Sequence, residues 1–424
     1  MAREMKDSGV AWIGEIPATW TLSKIGSLYT QRNEKVSDKD FAPLSVTMKG
    51  IVPQLEAAAK TDDGDNRKLV RKGDFVINSR SDRRGSCGIS TYDGSVSLIN
   101  IILTPRGEMH PGYYDWLFHT SLFADEFYKW GHGIVDDLWT TRWQEMKAIC
   151  VPVPPYHDQE GISNFLYEKC CEIDAVLDKT HASIEEYKKL KQVIITQAVT
   201  KGVWGDRPMK ESGIEWVPLI PADWELCRLR NLGDVQNGIS KGGDAFGSGY
   251  PFVSYGDVYK NIELPFEVKG LIESSDEERK RYSVKAGDIF FTRTSETIDE
   301  VGFSSACLKT IPNATFAGFL IRVRPFNDKL SVRFSKYYFR SGHHRMYFAK
   351  EMNLVTRASL GQNLLKNLPV LVPPKSEQLF ISDYLDNRCG QIDRQIEKEK
   401  RLLLELESYK KSLIYEYVTG KKEV

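Results

Sequence analysis

Two stretches of the chain carry apolar residues at alternating intervals of four, seven and three. The first runs through Ile162, Leu166, Ile173, Leu177, Ile184, Tyr187, Ile194 and Ala198; the second through Ile381, Leu385, Ile392, Ile396, Leu403, Leu406, Leu413 and Tyr417. Lys and Glu fill the outer positions, so each stretch reads as the seam of a heptad helix. No Pro or Gly interrupts residues 162–201, which predicts one helix of about 40 residues, roughly 60 Å long. Gly202 and Gly420 supply the stops. A small domain cannot cover so long a stripe, and the two helices are expected to pair with each other as an antiparallel coiled coil. Tyr187-Lys-Lys and Tyr409-Lys-Lys match at a shift of 222, whereas Val199-Thr and Val418-Thr match at 219. That difference predicts a three-residue slip in the heptad.

Residues 20–150 and 224–370 have another texture, with short strands between Gly, Pro and Asn turns. Phe75-Val-Ile-Asn78 and Ile289-Phe-Phe-Thr292 are strands introduced by Gly73-Asp74 and Gly287-Asp288 turns. Gly88-Ile-Ser and Gly302-Phe-Ser keep the same shift of 214, so each region holds a hairpin with an equivalent loop at its tip. Helical stretches follow around Tyr113 to Trp130 and Ser331 to Phe348.

These parallels belong to a duplication. Lys6-Asp-Ser-Gly-Val-Ala-Trp12-Ile-Gly-Glu-Ile16-Pro17-Ala18-Thr-Trp20 returns as Lys210-Glu-Ser-Gly-Ile-Glu-Trp216-Val-Pro-Leu-Ile220-Pro221-Ala222-Asp-Trp224, shifted by 204. Val151-Pro-Val-Pro154-Pro155 with Gln159 returns as Leu371-Val-Pro373-Pro374 with Gln378, shifted by 219. The chain is two copies of one module with fixed ends and independently set middles. The expected fold is α+β: two pseudo-repeated mixed α/β domains, 1–155 and 204–374, separated by two long antiparallel coiled-coil helices, 156–203 and 375–424. Trp12, Trp20, Trp216 and Trp224 recur in the constant part, which speaks for packing.

Composition narrows the class. With 58 basic and 58 acidic residues the formal net charge is zero, unlike simple DNA-binding domains, although a balanced chain can still carry a basic groove. No apolar run reaches the roughly 20 residues needed to cross a bilayer, and the start lacks the layout of a secretory leader, so a cytoplasmic location is expected. Seven scattered cysteines without a Cys-x-x-Cys pair read as free thiols.

Candidate chemistry sits in the loops. Asn78-Ser-Arg80-Ser-Asp-Arg83-Arg84-Gly-Ser sets three arginines among hydroxyls, and Thr292-Arg293-Thr294-Ser295-Glu-Thr297 sets one. Arg can fork onto guanine O6 and N7, while Ser and Thr reach phosphates or bases; the bland alternative is a solvated turn. A second pair of segments, with Trp139, Arg142 and Trp143 in one copy and Arg357 in the other, precedes the proline signature. Its alternative is a polar link with packed tryptophans. Lys49, Lys241 and Tyr255, near strand ends, complete the DNA-contact candidates. Enzyme motifs are missing: there is no Gly-x-x-x-x-Gly-Lys-Ser/Thr loop and no His-Glu-x-x-His. Val153-Pro154-Pro155-Tyr156 lacks the amide or carboxylate of an amino-methyltransferase signature. His343 and His344 read as a polar helix face. No catalysis, cofactor or metal is expected of this chain.

Two variable domains, each opening with Trp-x-x-x-Ile-Pro-x-x-Trp and closing with Val-Pro-x-Pro-Pro or Leu-Val-Pro-Pro into a long heptad helix, resemble the specificity subunit of type I restriction-modification systems. The resemblance covers the whole chain. It implies two target-recognition domains that each read half of a split double-stranded DNA site, held apart by a helical spacer. It also implies partner modification subunits that methylate adenine from S-adenosylmethionine, and ATP-driven restriction subunits. The competing reading is a non-enzymatic two-headed adaptor that binds proteins.

Overall fold

The computed structural model describes residues 3–56, 64–133, 139–295, 301–351 and 358–424. The chain forms two compact units, Met1–His181 with Lys400–Val424, and Ala182–Glu399. A central helix spans Tyr156–Lys201 and a C-terminal helix Lys375–Val418, and each starts in one unit and ends in the other. Each begins directly behind a proline pair, where a residue without an N–H costs the helix nothing. Gly202 and Gly420, with φ of 76° and 70°, take the left-handed conformation that ends them.

In the first unit, four antiparallel strands lie in the order Cys87–Ile89, Phe75–Asn78, Asn100–Pro105, Tyr29–Arg32. Helices Pro111–Phe118 and Ser121–Lys129 cover it. The predicted stretch is thus two helices, broken where Thr120 caps the second by accepting from the Phe123 amide. Their aromatics interlock with the sheet: Phe118 lies 4.6 Å from Phe75 and 4.7 Å from Phe123 between ring centres. The Tyr113 hydroxyl donates to the Val418 carbonyl at 2.7 Å, bringing the end of the C-terminal helix into this core.

The second unit repeats the sheet as Ser304–Ala306, Ile289–Thr292, Leu320–Pro325, Gly233–Asn237. Helices Val332–Tyr338 and His343–Glu351 follow. His343 and His344 are buried, not on a polar face. Their rings lie 3.7 Å apart, against Tyr338 at 5.0 and 4.7 Å, because the helix turns this side toward the core. Asp386 joins helix Val332–Tyr338 to the C-terminal helix by accepting from Arg333, Tyr337 and Lys336.

In both units a short strand before the prolines pairs with the strand after the second tryptophan. Cys150–Val153 pairs with Thr21–Lys24, and Pro369–Val372 with Glu225–Arg228. Leu22 faces Pro152 as Leu226 faces Leu371, the same register in both. The constant residues also share one contact. Arg3 and the Trp20 indole N–H both donate to Asp158, each at 3.0 Å; Arg207 and the Trp224 indole N–H, at 2.8 Å, donate to Glu377. Both tryptophans are fully buried, the packing role expected of them.

Within each unit the two long helices run antiparallel. In the first, Phe165 packs on Tyr417 and Asp174 pairs with Lys410 at 2.6 Å; in the second, Lys191 pairs with Asp393 at 2.7 Å. Asp174 and Asp393, like Lys191 and Lys410, differ by 219, as do the buried Cys170 and Cys389. The register therefore continues without the predicted slip, and the Tyr-Lys-Lys match is incidental. Cys170, Cys389 and the half-buried Lys191 and Lys410 occupy seam positions that a purely apolar template skips. Burial pushes both thiols up to about 11.

Candidate nucleic-acid interface

The first unit gathers its candidates. Strand Phe75–Asn78 ends in a loop whose Asn78 side chain accepts from the Arg80 amide at 3.0 Å, and a 3-10 turn follows at Ser81–Arg83. Arg80 bridges Thr140, the Ser79 carbonyl accepts from the Thr141 amide, and the Trp139 carbonyl accepts from the Ser81 amide. The two candidate segments are thus laced together. Tyr128, which is not among the sequence candidates, fixes the loop by donating to the carbonyl of Asn78 at 3.0 Å. Trp139 donates its indole N–H to the Tyr128 carbonyl at 2.8 Å, which agrees with its packing alternative. Arg84 pairs with Asp125 and lies 5.7 Å over the Tyr128 ring, at the edge of a cleft of about 710 Å³. Arg83 is exposed beside Asp82, and Arg142 is exposed at the start of helix Trp143–Met146. Lys49 stands in the turn of the hairpin Leu44–Thr47 and Gly50–Pro53. That hairpin abuts the strand Cys87–Ile89 that leaves the arginine loop: a Cβ on Gly88 would come within 2.8 Å of the Gly50 Cα, so only glycine fits.

The second unit builds the same junction from other side chains. Thr294–Ser295 pairs with Ala358–Ser359, and the Arg293 carbonyl accepts from the Leu360 amide at 2.7 Å. With shifts of 214 and 219, Thr294 and Ser359 stand where Arg80 and Thr140 stand in the first unit. Tyr255 here does the work of Tyr128, its hydroxyl donating to the Thr294 carbonyl at 2.9 Å. Its ring stacks on Tyr259, which stacks on Phe303, with Arg340 4.3 Å over that last ring. Lys241 donates to Glu278 and the Glu273 carbonyl, both at 2.8 Å, so its charge is engaged within the unit. Arg357 lies outside the described residues.

The candidates divide by electrostatics. No carboxylate among the described residues pairs with Lys49, Arg80, Arg142 or Arg293, whereas Arg84 and Lys241 are paired. Sequence reasoning missed Tyr128, Tyr259, Phe303 and Arg340, because nothing in spacing separates a tyrosine that holds a loop from one that fills a core. Among the described residues no group of three His, Cys, Asp or Glu could hold a metal, and no helix is long and apolar enough to cross a membrane.

Comparison with known proteins bears on the whole chain. Residues 221–408 match the family model of the type I restriction modification DNA specificity domain. The type I restriction enzyme MjaVIII specificity subunit of Methanocaldococcus jannaschii is 24% identical over 96% of this chain and 94% of its own length. The EcoKI specificity subunit of Escherichia coli K12 is 23% identical over 87% and 82%. The match to the putative MjaX specificity subunit of M. jannaschii, 29% identical, spans 42% of this chain and 43% of that protein. Among solved structures, a chain from a study of complex assembly and conformational transition of the type I R-M system superimposes with a TM-score of 0.75, covering 96% of this chain and 99% of that one at 14% identity. The HsdS subunit from Thermoanaerobacter tengcongensis gives 0.55, covering 96% and 98% at 17% identity. Residues 221–408 thus match the type I restriction modification DNA specificity domain, and the chain over nearly its whole length is similar to specificity subunits of type I restriction-modification systems.

Proposed function

We propose that the chain is the double-stranded DNA reader of a type I restriction-modification complex. Each repeated module, 1–155 and 204–374, reads one half of a bipartite asymmetric site, and the helical segments 156–203 and 375–424 form the coiled-coil spacer between them. The subunit is non-catalytic. Its partners are adenine-methylating modification subunits, two of them by the symmetry of the duplication, and restriction subunits in the full complex; methyl donor and nucleotide belong to those partners.

One observation carries this reading. The divergent loops meet at the same laced junction in both modules, and the cations that no carboxylate among the described residues pairs with, Lys49, Arg80 and Arg142 in one and Arg293 in the other, are what phosphates and guanine edges attract. Thr294 adds a hydroxyl beside Arg293. A helix of 46 residues is about 69 Å long, enough to set half-sites one to two turns apart. Salt-dependent gel shifts of the chain with its methyltransferase partner test the binding: affinity should fall steeply with salt, and a flat response would favour the protein adaptor. Inserting a heptad in both helices should lengthen the unread spacer, seen by methylome sequencing, with both half-sites unchanged.

A further inference from the structure

The first unit fills a space that the second leaves open. Tyr415 on the C-terminal helix donates its hydroxyl to the carbonyls of Trp12 and Ile13 at 3.3 and 3.2 Å. The Lys421 ammonium, 5.0 Å over the Tyr415 ring, donates to the carbonyls of Ile13 and Glu15 at 2.6 and 3.1 Å. By the offsets of 219 and 204, the equivalent positions in the second unit are Thr196 on the central helix and Trp216, Val217 and Leu219 in the hairpin. Thr196 is shorter than tyrosine by a ring. Between helix and hairpin there is a groove of about 700 Å³, lined among others by Val193, Thr196, Trp216, Leu219 and His343. Val193 and Leu219 are 60% and 48% exposed, and Trp216 is only partly covered where Trp12 is buried.

The groove wall also contains an unused acceptor. Ser341 donates its one hydroxyl hydrogen to the Tyr338 carbonyl at 2.5 Å. Its 2.7 Å contact with Nδ1 of His343 therefore requires the imidazole to donate, which leaves the lone pair on Nε2. Nε2 is buried and has no partner among the described residues. Val193, Trp216, Val217, Pro218 and Leu219 give the groove an apolar side beside the polar Gln192, Gln197, Thr200 and Lys201, and an apolar side with a bare nitrogen acceptor suits a ring that carries a hydrogen-bond donor. The Val217 carbonyl already has one donor, the Ser212 hydroxyl, whereas Nε2 of His343 has none among the described residues.

We propose that this groove binds a phenolic ring supplied as the tyrosine side chain of a partner polypeptide, in the place Tyr415 takes in the first unit. The volume exceeds one ring and admits the backbone that bears it. The test titrates N-acetyl-tyrosinamide into the full chain, followed by saturation-transfer NMR. One saturable site in the millimolar range is expected, as befits a ligand of this size, with N-acetyl-phenylalaninamide weaker by about 5-fold for want of the donor. Thr196→Tyr, which supplies the ring from the chain itself, should abolish binding. Val193→Arg at the exposed rim should weaken it several-fold and decides the matter if Thr196→Tyr fails to fold. Equal binding of the two amides, or wild-type binding by Thr196→Tyr or by Val193→Arg, overturns the site. Binding of p-cresol without N-acetyl-tyrosinamide would mean that only free phenols enter and overturns the polypeptide source.

Discussion

Arg3, Trp20 and Asp158 make in the first unit the contact that Arg207, Trp224 and Glu377 make in the second, yet the settings differ. The Asp158 side chain keeps 30% of its surface in water, whereas that of Glu377 keeps none. The same three groups therefore have different energetic weights: a solvated carboxylate is replaceable by water, whereas loss of the buried Glu377 leaves the buried Trp224 indole N–H without its acceptor and Arg207 with Asp223 alone. Duplication has copied the geometry and left each copy to set its own burial. The buried aspartates of the Gly-Asp turns teach the same lesson. Asp74 is held by Arg32 from strand Tyr29–Arg32, and Asp288 by Arg324 from strand Leu320–Pro325, so the cation has moved to the neighbouring strand while the acid stayed. Thr104, facing Asp74 at 2.9 Å, marks where the second arrangement would enter the first unit.

The comparison breaks most readily at the carboxylates. Glu377→Ala should destabilise the second unit by about 3 kcal/mol, since it removes the acceptor of the buried Trp224 indole and one of the two carboxylates on Arg207, and Asp158→Ala the first by about 1 kcal/mol or less. Urea unfolding measures both, and equal losses would refute the difference in weight. Arg32→Ala should cost about 2–3 kcal/mol, and adding Thr104→Arg should return more than half of it by importing the second unit's arrangement; a double variant no better than the single shows that the strands are not interchangeable. Arg80→Ala and Arg293→Ala should each weaken recognition at one half-site by about 1–3 kcal/mol if the arginine forks onto a base. Binding to duplexes altered in one half at a time reads this, and a uniform loss would assign a phosphate contact. The smallest effect concerns pH. Burial alone would raise Asp386, but hydrogen bonds from Lys336, Tyr337 and Arg333 outweigh it and hold the carboxyl below its usual range. Its contribution is therefore present above the unfolded value of about 3.9 and is lost as pH falls through the lower folded one. Asp386→Asn should flatten that acid limb of the second unit's stability, leaving the first unit's unchanged.

What could be read in advance follows the range of the interactions. The helices, their proline starts and glycine stops, and the two hairpins behind Gly-Asp turns are local signals, and they stand where spacing put them. The Tyr-Lys-Lys match points to a three-residue slip because polar Lys191 and Lys410 occupy seam positions where a heptad template expects apolar residues. Pairing of Arg80 with Thr140, or of Thr294 with Ser359, joins residues about 60 positions apart, and no local pattern encodes it. The repeat did flag both halves of that junction. His343 was misplaced because adjacent imidazoles look polar in a sequence, whereas a neutral ring packed on Tyr338 is a core residue. Burial drives its pKa down to about 3.

The placement of Tyr113 against the Val418 carbonyl, 305 residues away, has a consequence in time. Residues 182–399 hold everything the second unit needs, but the first unit lacks Leu413 and Val418 of its core until the final 25 residues exist. During synthesis the module made first is the one finished last. A chain cut after Glu399 and free of the ribosome would display a complete second unit and an unsealed first one, its apolar surface open to chaperones and proteases.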